Sequence, residues 1–198
     1  MDPSNVLVRL KALIDILDVY NEEVVRINEI KLAASDTAAM IFLDRVLVRT
    51  VYSRVEGIAY LMKYVALADE NQPDQIFSAG ELALLREEDY DLTSEGIVRI
   101  KSARLSTLAN LRFSFRAFVR ALGINFTLNV GEHGWEQLRN GILVRDRITH
   151  PKRAEDLIVT DQEVLEILEG QMWFADQFGP CLERAIEAVS ARYKGEMV

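Results

Sequence analysis

Arg145 and His150 are the residues of this chain whose types and spacing best suit chemistry. They belong to the stretch Arg145-Asp146-Arg147-Ile148-Thr149-His150-Pro151-Lys152, which holds one of the two histidines and follows it at once with a proline. An imidazole titrates near pH ~6.5, so it can both take and give a proton at cellular pH. A guanidinium holds phosphate through its planar fork and offsets charge that builds there during attack. Together the two groups can turn the 2'-hydroxyl of an RNA strand against the adjacent phosphate, a reaction that requires no metal. The spacing imposes a condition. Five residues of regular helix turn through about 500°, which leaves the side chains about 140° apart. Pro151 disfavours helical geometry at His150, and that break is what would let the imidazole swing towards Arg145. Taken without such a role, His150 is a helix-end residue that hydrogen-bonds the last carbonyls.

Hydrophobic spacing predicts the elements that hold these residues. Asp2 and Pro3 suit a helix start, and Leu7, Leu10, Ile14, Leu17, Val24 and Ile27 keep one face to about Leu32. Ser35 or Asp36 caps a second helix carrying Met40, Leu43, Leu47, Val51, Val55, Ile58, Met62 and Val65, which ends at the loop Asn71-Gln72-Pro73-Asp74. Ser78 and Glu81 have capping-box spacing ahead of a short helix with Leu82, Leu84 and Leu85, followed by an acidic turn at 87–91. Thr93 or Ser94 is expected to open a helix through Ile97, Ile100, Leu105, Leu108, Leu111, Phe115, Val119 and Leu122, closed by Gly123. On it Arg112, Arg116 and Arg120 form one stripe. Residues 124–130 read as an extended loop. A helix from about Trp135, with Leu138 and Ile142 inward, then carries the opening stretch and stops near Thr149. Thr160 and Glu163 cap a last long helix from Val164 to Val189, which Gly179-Pro180 can kink or split. The expected class is all-α: an up-and-down bundle of four to five long helices with short extra ones, in a single domain over residues 1–198.

Composition narrows the function classes. Hydrophobic residues at 49% and charged residues at 27% make an ordinary folded chain. No leader pattern opens it and no apolar run reaches the ~18 to 20 residues of a membrane span, so a cytoplasmic protein without membrane attachment is expected. Cys181 is alone, which excludes an intramolecular disulfide and offers no zinc set; no metal and no cofactor are expected. The net charge of −8 speaks against a polyanionic partner, but its distribution does not. Between Arg99 and Arg153 eleven Lys/Arg stand against three Asp/Glu, whereas the rest of the chain has 12 against 28. That basic third is either a solvated helix face or a nucleic-acid-facing surface, since a phosphate backbone needs clustered cations and no overall positive charge.

Arg145-Asp146-x-x-x-His150 resembles the R-x(4 to 6)-H motif of HEPN domains, all-helical bundle proteins many of which are metal-independent ribonucleases. The polar residue after the arginine fits the family. Trp135 to Leu138, Arg139-Asn140, the run from Arg147 to Lys152, Asp156-Leu157 and the capped helix at Thr160 are similar to the closing part of such domains in prokaryotic defence and toxin systems. The likeness is clearest from about Gly123 to Trp173. It implies that Arg145 binds and stabilises the scissile phosphate, that His150 is general base or acid, and that Asp146 orients one of them. It also implies a homodimer with a composite active site, an RNA substrate cut to a 2',3'-cyclic phosphate, a role as toxin or stress effector, and an antitoxin protein as a partner. Arg147, Lys152, Arg153 and the Arg112-Arg116-Arg120 stripe would line the approach for RNA. The alternative is a non-catalytic helical module that binds RNA, a nucleotide or a protein through the same basic face.

Other residues with chemical potential have plainer readings. His133 reads as an exposed loop residue or a contact at a helix start. Trp135 and Trp173 read as core or interface anchors, not base-stacking platforms. Glu56 lies off the apolar face of the second helix and reads as a surface carboxylate, with a site role as the lesser alternative. Cys181 reads as a small buried hydrophobe.

Overall fold

Asp36 starts the second long helix through its carboxylate, which accepts the N–H groups of Ala38 and Ala39, both at 3.2 Å. These are donors that a helix start otherwise leaves unpaired. The computed structural model describes residues 3–68 and 76–196. Within them α1 (Pro3–Ala33) and α2 (Thr37–Ala66) precede the short α3 (Ala79–Leu85). A hairpin of β1 (Glu88–Leu92) and β2 (Val98–Ser102) leads to α4 (Thr107–Leu122) and α5 (His133–Thr149). A 3-10 turn (Ala154–Leu157) and the long α6 (Asp161–Glu196) complete the chain. The Asp2 cap and the loop Asn71-Gln72-Pro73-Asp74 lie outside the described residues.

Local signals worked where a side chain closes a helix end. Ser78 and Glu81 form both halves of a capping box on α3. Thr160 and Glu163 do the same for α6, at 2.9 and 3.2 Å. Gly123, in the left-handed region at φ 61°, ends α4. Residues 124–129 form neither helix nor strand, as expected. Gly179-Pro180 does not split α6.

The expectation for residues 87–106 fails. The helix predicted from Thr93 or Ser94 begins only at Thr107, where the Ser106 hydroxyl accepts from the Ala109 N–H at 3.3 Å. The acidic turn at 87–91 is a strand, paired antiparallel with β2 so that Tyr90 opposes Ile100 and Leu92 opposes Val98. The turn is built by Thr93: its hydroxyl accepts from the N–H groups of Glu95 and Ile97, and Gly96 takes φ 77°. Asp89–Lys101 at 3.2 Å and Asp91–Arg99 at 3.4 Å then pair across one face of the hairpin. Ile97, Ile100 and Leu105, which match helical spacing, are exposed. The fold is therefore mainly helical with one small sheet, consistent with the all-α class.

The described residues fall into two compact units, and α1, α2 and α6 contribute a segment to each. The first unit takes α1 as far as Leu13, residues 59–127 and the chain from Leu182 on. Its core joins Val6, Leu10 and Leu13 to Met62, Val65, Leu111, Phe115, Phe118 and Leu122. A satellite cluster of Ala66, Phe77, Leu82, Leu85, Ala117 and Ala121 seats α3.

The second unit, Ile14–Ile58 with Leu128–Cys181, contains the opening stretch. Val24 and Ile27 of α1, Leu47, Val51, Tyr52 and Val55 of α2, Leu138 and Ile148 of α5, and Ile167, Phe174 and Phe178 of α6 are buried there. Each such side chain contributes about 1.5–3 kcal/mol when it leaves water. Helices α5 and α6 approach closely at Gly170, where a Cβ would stand 2.7 Å from the Leu138 backbone nitrogen. Trp173 packs edge-on against Trp135 at 5.4 Å and donates its indole N–H to Glu132 at 3.0 Å, an anchor as expected. Cys181 is buried. Leu7 and Met40, read as core positions, are exposed, because Val6 and Leu13 lead the buried stripe of α1 and Leu43 begins that of α2.

Candidate active site around Arg145

Helix α5 ends as Pro151 requires. His150 leaves helical geometry at φ −124°, ψ 57°, while its N–H still donates to the Asp146 carbonyl at 3.0 Å. Its imidazole is exposed and makes no hydrogen bond with a described residue. The last carbonyls are met by other groups. Thr149 donates its hydroxyl to the Arg145 carbonyl at 2.7 Å, and Arg49 of α2 donates to the Ile148 carbonyl at 3.1 Å. A cation there also suits the negative end of the helix dipole.

Arg145 points the other way, into the unit. Its side chain is 18% exposed. One terminal nitrogen, Nη1, meets Asp146 at 3.0 Å, and the other, Nη2, is in short contact with the Glu56 carboxylate of α2. Beside it opens a cavity of about 260 Å³, lined by Arg49, Tyr52, Ser53 and Glu56 from α2 and by Arg145 and Thr149 from α5. Positions 49, 52, 53 and 56 fall on one face of a 3.6-residue helix, and 145 and 149 lie one turn apart on the other wall. Arg145 and Asp146 are thus brought together, whereas His150 follows the wall residue Thr149 without lining the cavity itself.

Tyr52 closes the floor. Its hydroxyl donates to the Leu138 carbonyl at 2.9 Å. Burial pushes the phenol well above its ordinary range, and the Arg145 charge opposes that only in part. Tyr52 therefore acts as a neutral donor. Two guanidiniums, two hydroxyls and one carboxylate remain around a space fit for a phosphate, with Glu56 now holding the guanidinium that a phosphate would take.

The remaining basic residues divide by how the fold uses them. Arg147 is tied to the Ile158 carbonyl at 2.8 Å and to Glu163 at 3.0 Å, so it fastens the start of α6. Lys152 and Arg153 are exposed in the loop after α5, with Arg153 3.5 Å from Asp156. The backbone N–H groups of both residues hydrogen-bond the Asp156 carboxylate, and with the nearby Arg153 charge they hold it below the usual carboxylate range. Arg112, Arg116 and Arg120 lie along α4 in the first unit. Arg112 and Arg116 are exposed; Arg120 bonds Glu81 at 2.6 Å and lies 4.6 Å over the Phe77 ring. His133 is an exposed contact at the start of α5, bonded to Gln137 at 2.7 Å. Among the described residues no three His, Cys, Asp or Glu side chains group as a metal site.

Reading the sequence missed Arg49, Tyr52, Ser53 and Thr149; Glu56, read chiefly as a surface carboxylate, is exposed as expected and also lines the cavity. The available signal was the polar row Arg49-Ser53-Glu56 running beside the apolar face of α2. Comparison with protein-family models, with curated proteins and with solved structures finds no match for the chain.

Proposed function

We propose that the chain is a HEPN-type, metal-independent endoribonuclease that cuts RNA by 2'-hydroxyl attack and leaves a 2',3'-cyclic phosphate. The observation that carries this reading is the cavity at Arg145, which sets a second arginine, Arg49, beside it and reaches Thr149, the residue before the exposed His150. Arg145 binds the scissile phosphate, Asp146 orients it through the 3.0 Å contact, and His150 transfers a proton. Lys152, Arg153, Arg112 and Arg116 supply cations to the RNA backbone, and Arg147 and Arg120 support them from their ion pairs. The same reading makes the chain one HEPN-like helical domain, cytoplasmic, acting as a toxin or stress effector under an antitoxin protein, and dimeric with two motifs facing one cleft. No helix among the described residues is long and apolar enough to cross a membrane.

The experiment is cleavage of a labelled RNA in EDTA. His150→Ala is expected to lower the rate about 10²–10⁴-fold, and Arg145→Ala by a comparable factor. Cleavage that neither substitution changes, or none by the wild type, overturns the reading. A second reading, a non-catalytic RNA- or nucleotide-binding module, is favoured by the two carboxylates that already hold Arg145. Its signature is RNA bound and left intact.

A further inference from the structure

Resting on that ribonuclease reading, we infer that Glu56 is the general base of the cleavage and His150 its general acid. Cyclising an RNA phosphodiester moves two protons, one off the 2'-hydroxyl and one onto the departing 5'-oxygen. Arg145 and His150 supply one group able to do this. Glu56 is the second: it touches Arg145 and lines the same cavity as Arg49, Ser53 and Thr149. Its helix is held in rotation by Tyr52 and Val55, both about 1% exposed, so the carboxylate is carried on a rigid element.

Two of the other cavity groups hydrogen-bond backbone carbonyls. Tyr52 gives its hydroxyl to the Leu138 carbonyl, and Arg49 gives one terminal nitrogen to the Ile148 carbonyl. Asp146 meets the opposite nitrogen of Arg145 and does not line the cavity. A phosphate that replaces Glu56 on Arg145 keeps the carboxylate as a neighbour on the α2 wall of the cavity. Losing the arginine and gaining a neighbouring anion both favour the protonated carboxyl, which makes Glu56 a better proton acceptor when substrate is bound.

The step balances. Glu56 takes the 2'-hydroxyl proton, O2' bonds to phosphorus, the P–O5' bond breaks, and the His150 imidazolium gives its proton to O5'. A 2',3'-cyclic phosphate and a 5'-hydroxyl leave, and exchange with water returns Glu56 and His150 to their starting forms.

Two substrates separate the roles: a mixed-sequence RNA oligonucleotide, and uridine 3'-(4-nitrophenyl phosphate), whose nitrophenolate departs without a proton. Glu56→Gln is expected to lower kcat on both by about 10²–10⁴-fold and to flatten the acidic limb of the pH profile of kcat/KM. His150→Ala should fall on RNA yet recover most of its rate on the nitrophenyl ester. Glu56→Ala rescued by added formate gives the same answer should the glutamine variant fold poorly. Cleavage that depends on His150 but keeps its rate and pH profile in Glu56→Gln, with no formate rescue, overturns this inference and leaves the ribonuclease standing. Recovery of Glu56→Gln, instead of His150→Ala, on the nitrophenyl ester overturns the assignment of base and acid. Absence of His150-dependent cleavage overturns both.

Discussion

Tyr52 illustrates how burial alone decides what one side chain can do. In water a phenol loses its proton near pH ~10, and here burial holds the proton on at higher pH. The native state therefore keeps a proton that the unfolded chain gives up. Its contribution to stability is fully present below the unfolded value and drains away as pH rises through about 10 and beyond. Tyr52→Phe is expected to cost about 1 kcal/mol at neutral pH through the lost bond to Leu138, and to make stability above about pH 10 fall less steeply than in the wild type. Thermal unfolding followed from pH 8 to 11 checks both. The same floor explains what could be read from sequence at this scale. Arg145 and His150 stood out because a histidine is rare here and a proline marks its helix end. Glu56 did not, because it is 89 residues from Arg145 and only the packing of α2 on α5 joins them. Arg147 and Arg120 were legible as cations, but not as groups whose charge is already engaged by Glu163 and Glu81.

Between α3 and α4 the elements carry information that periodicity concealed. Ile97, Ile100 and Leu105 match a helical stripe in spacing, yet the alternation of Val98, Arg99, Ile100 and Lys101 against Asp89, Tyr90, Asp91 and Leu92 suits a pleat with one charged face. Three and four residue spacing over so short a run cannot choose between the two periods; the Thr93 turn does. Where the apolar stripe was long, as in α2 and α6, the helices were legible because only one period fits. The root of the hairpin is fixed by a charge inside the core. Lys63 of α2 is fully buried, with its ammonium 2.7 Å from Glu87 and 2.9 Å from the Asn110 side-chain oxygen. Glu87 reaches it from a left-handed backbone at φ 57°, a conformation costly for a residue with a Cβ. Glu87→Ala is expected to cost about 2–3 kcal/mol, since it strands an ammonium in the core, although a half-exposed Glu87 keeps the loss below that of a fully buried pair. Lys63→Met, which removes the charge and keeps the volume, is expected to stay within about 1 kcal/mol of the wild type. Denaturant unfolding of the two variants measures the difference, and equal losses would refute the role given to the ion pair.

At the scale of the molecule the distribution of charge matters more than its sum. The chain is acidic overall, yet residues 99–153 hold nearly half of its cations and only three acids. That stretch was legible as basic from sequence alone, but its use was not, because reading charge cannot tell a cation in solvent from one turned onto a carbonyl. In the fold Arg147, Arg120 and Arg153 each meet a carboxylate, Arg120 and Arg153 while still exposed, and Arg145 faces its cavity. Arg112, Arg116, Lys152 and Arg153 are exposed. If these four meet phosphates of a single-stranded RNA, log affinity should fall with log salt at a slope of about −2.8, the counterion release for four contacts. Replacing Arg112 and Arg116 together by glutamine should reduce the slope by about 1.4. Fluorescence titrations between 50 and 200 mM salt read the slope directly. An affinity indifferent to salt would mean that the basic third is a solvated face after all, and that any RNA chemistry at Arg145 proceeds without it.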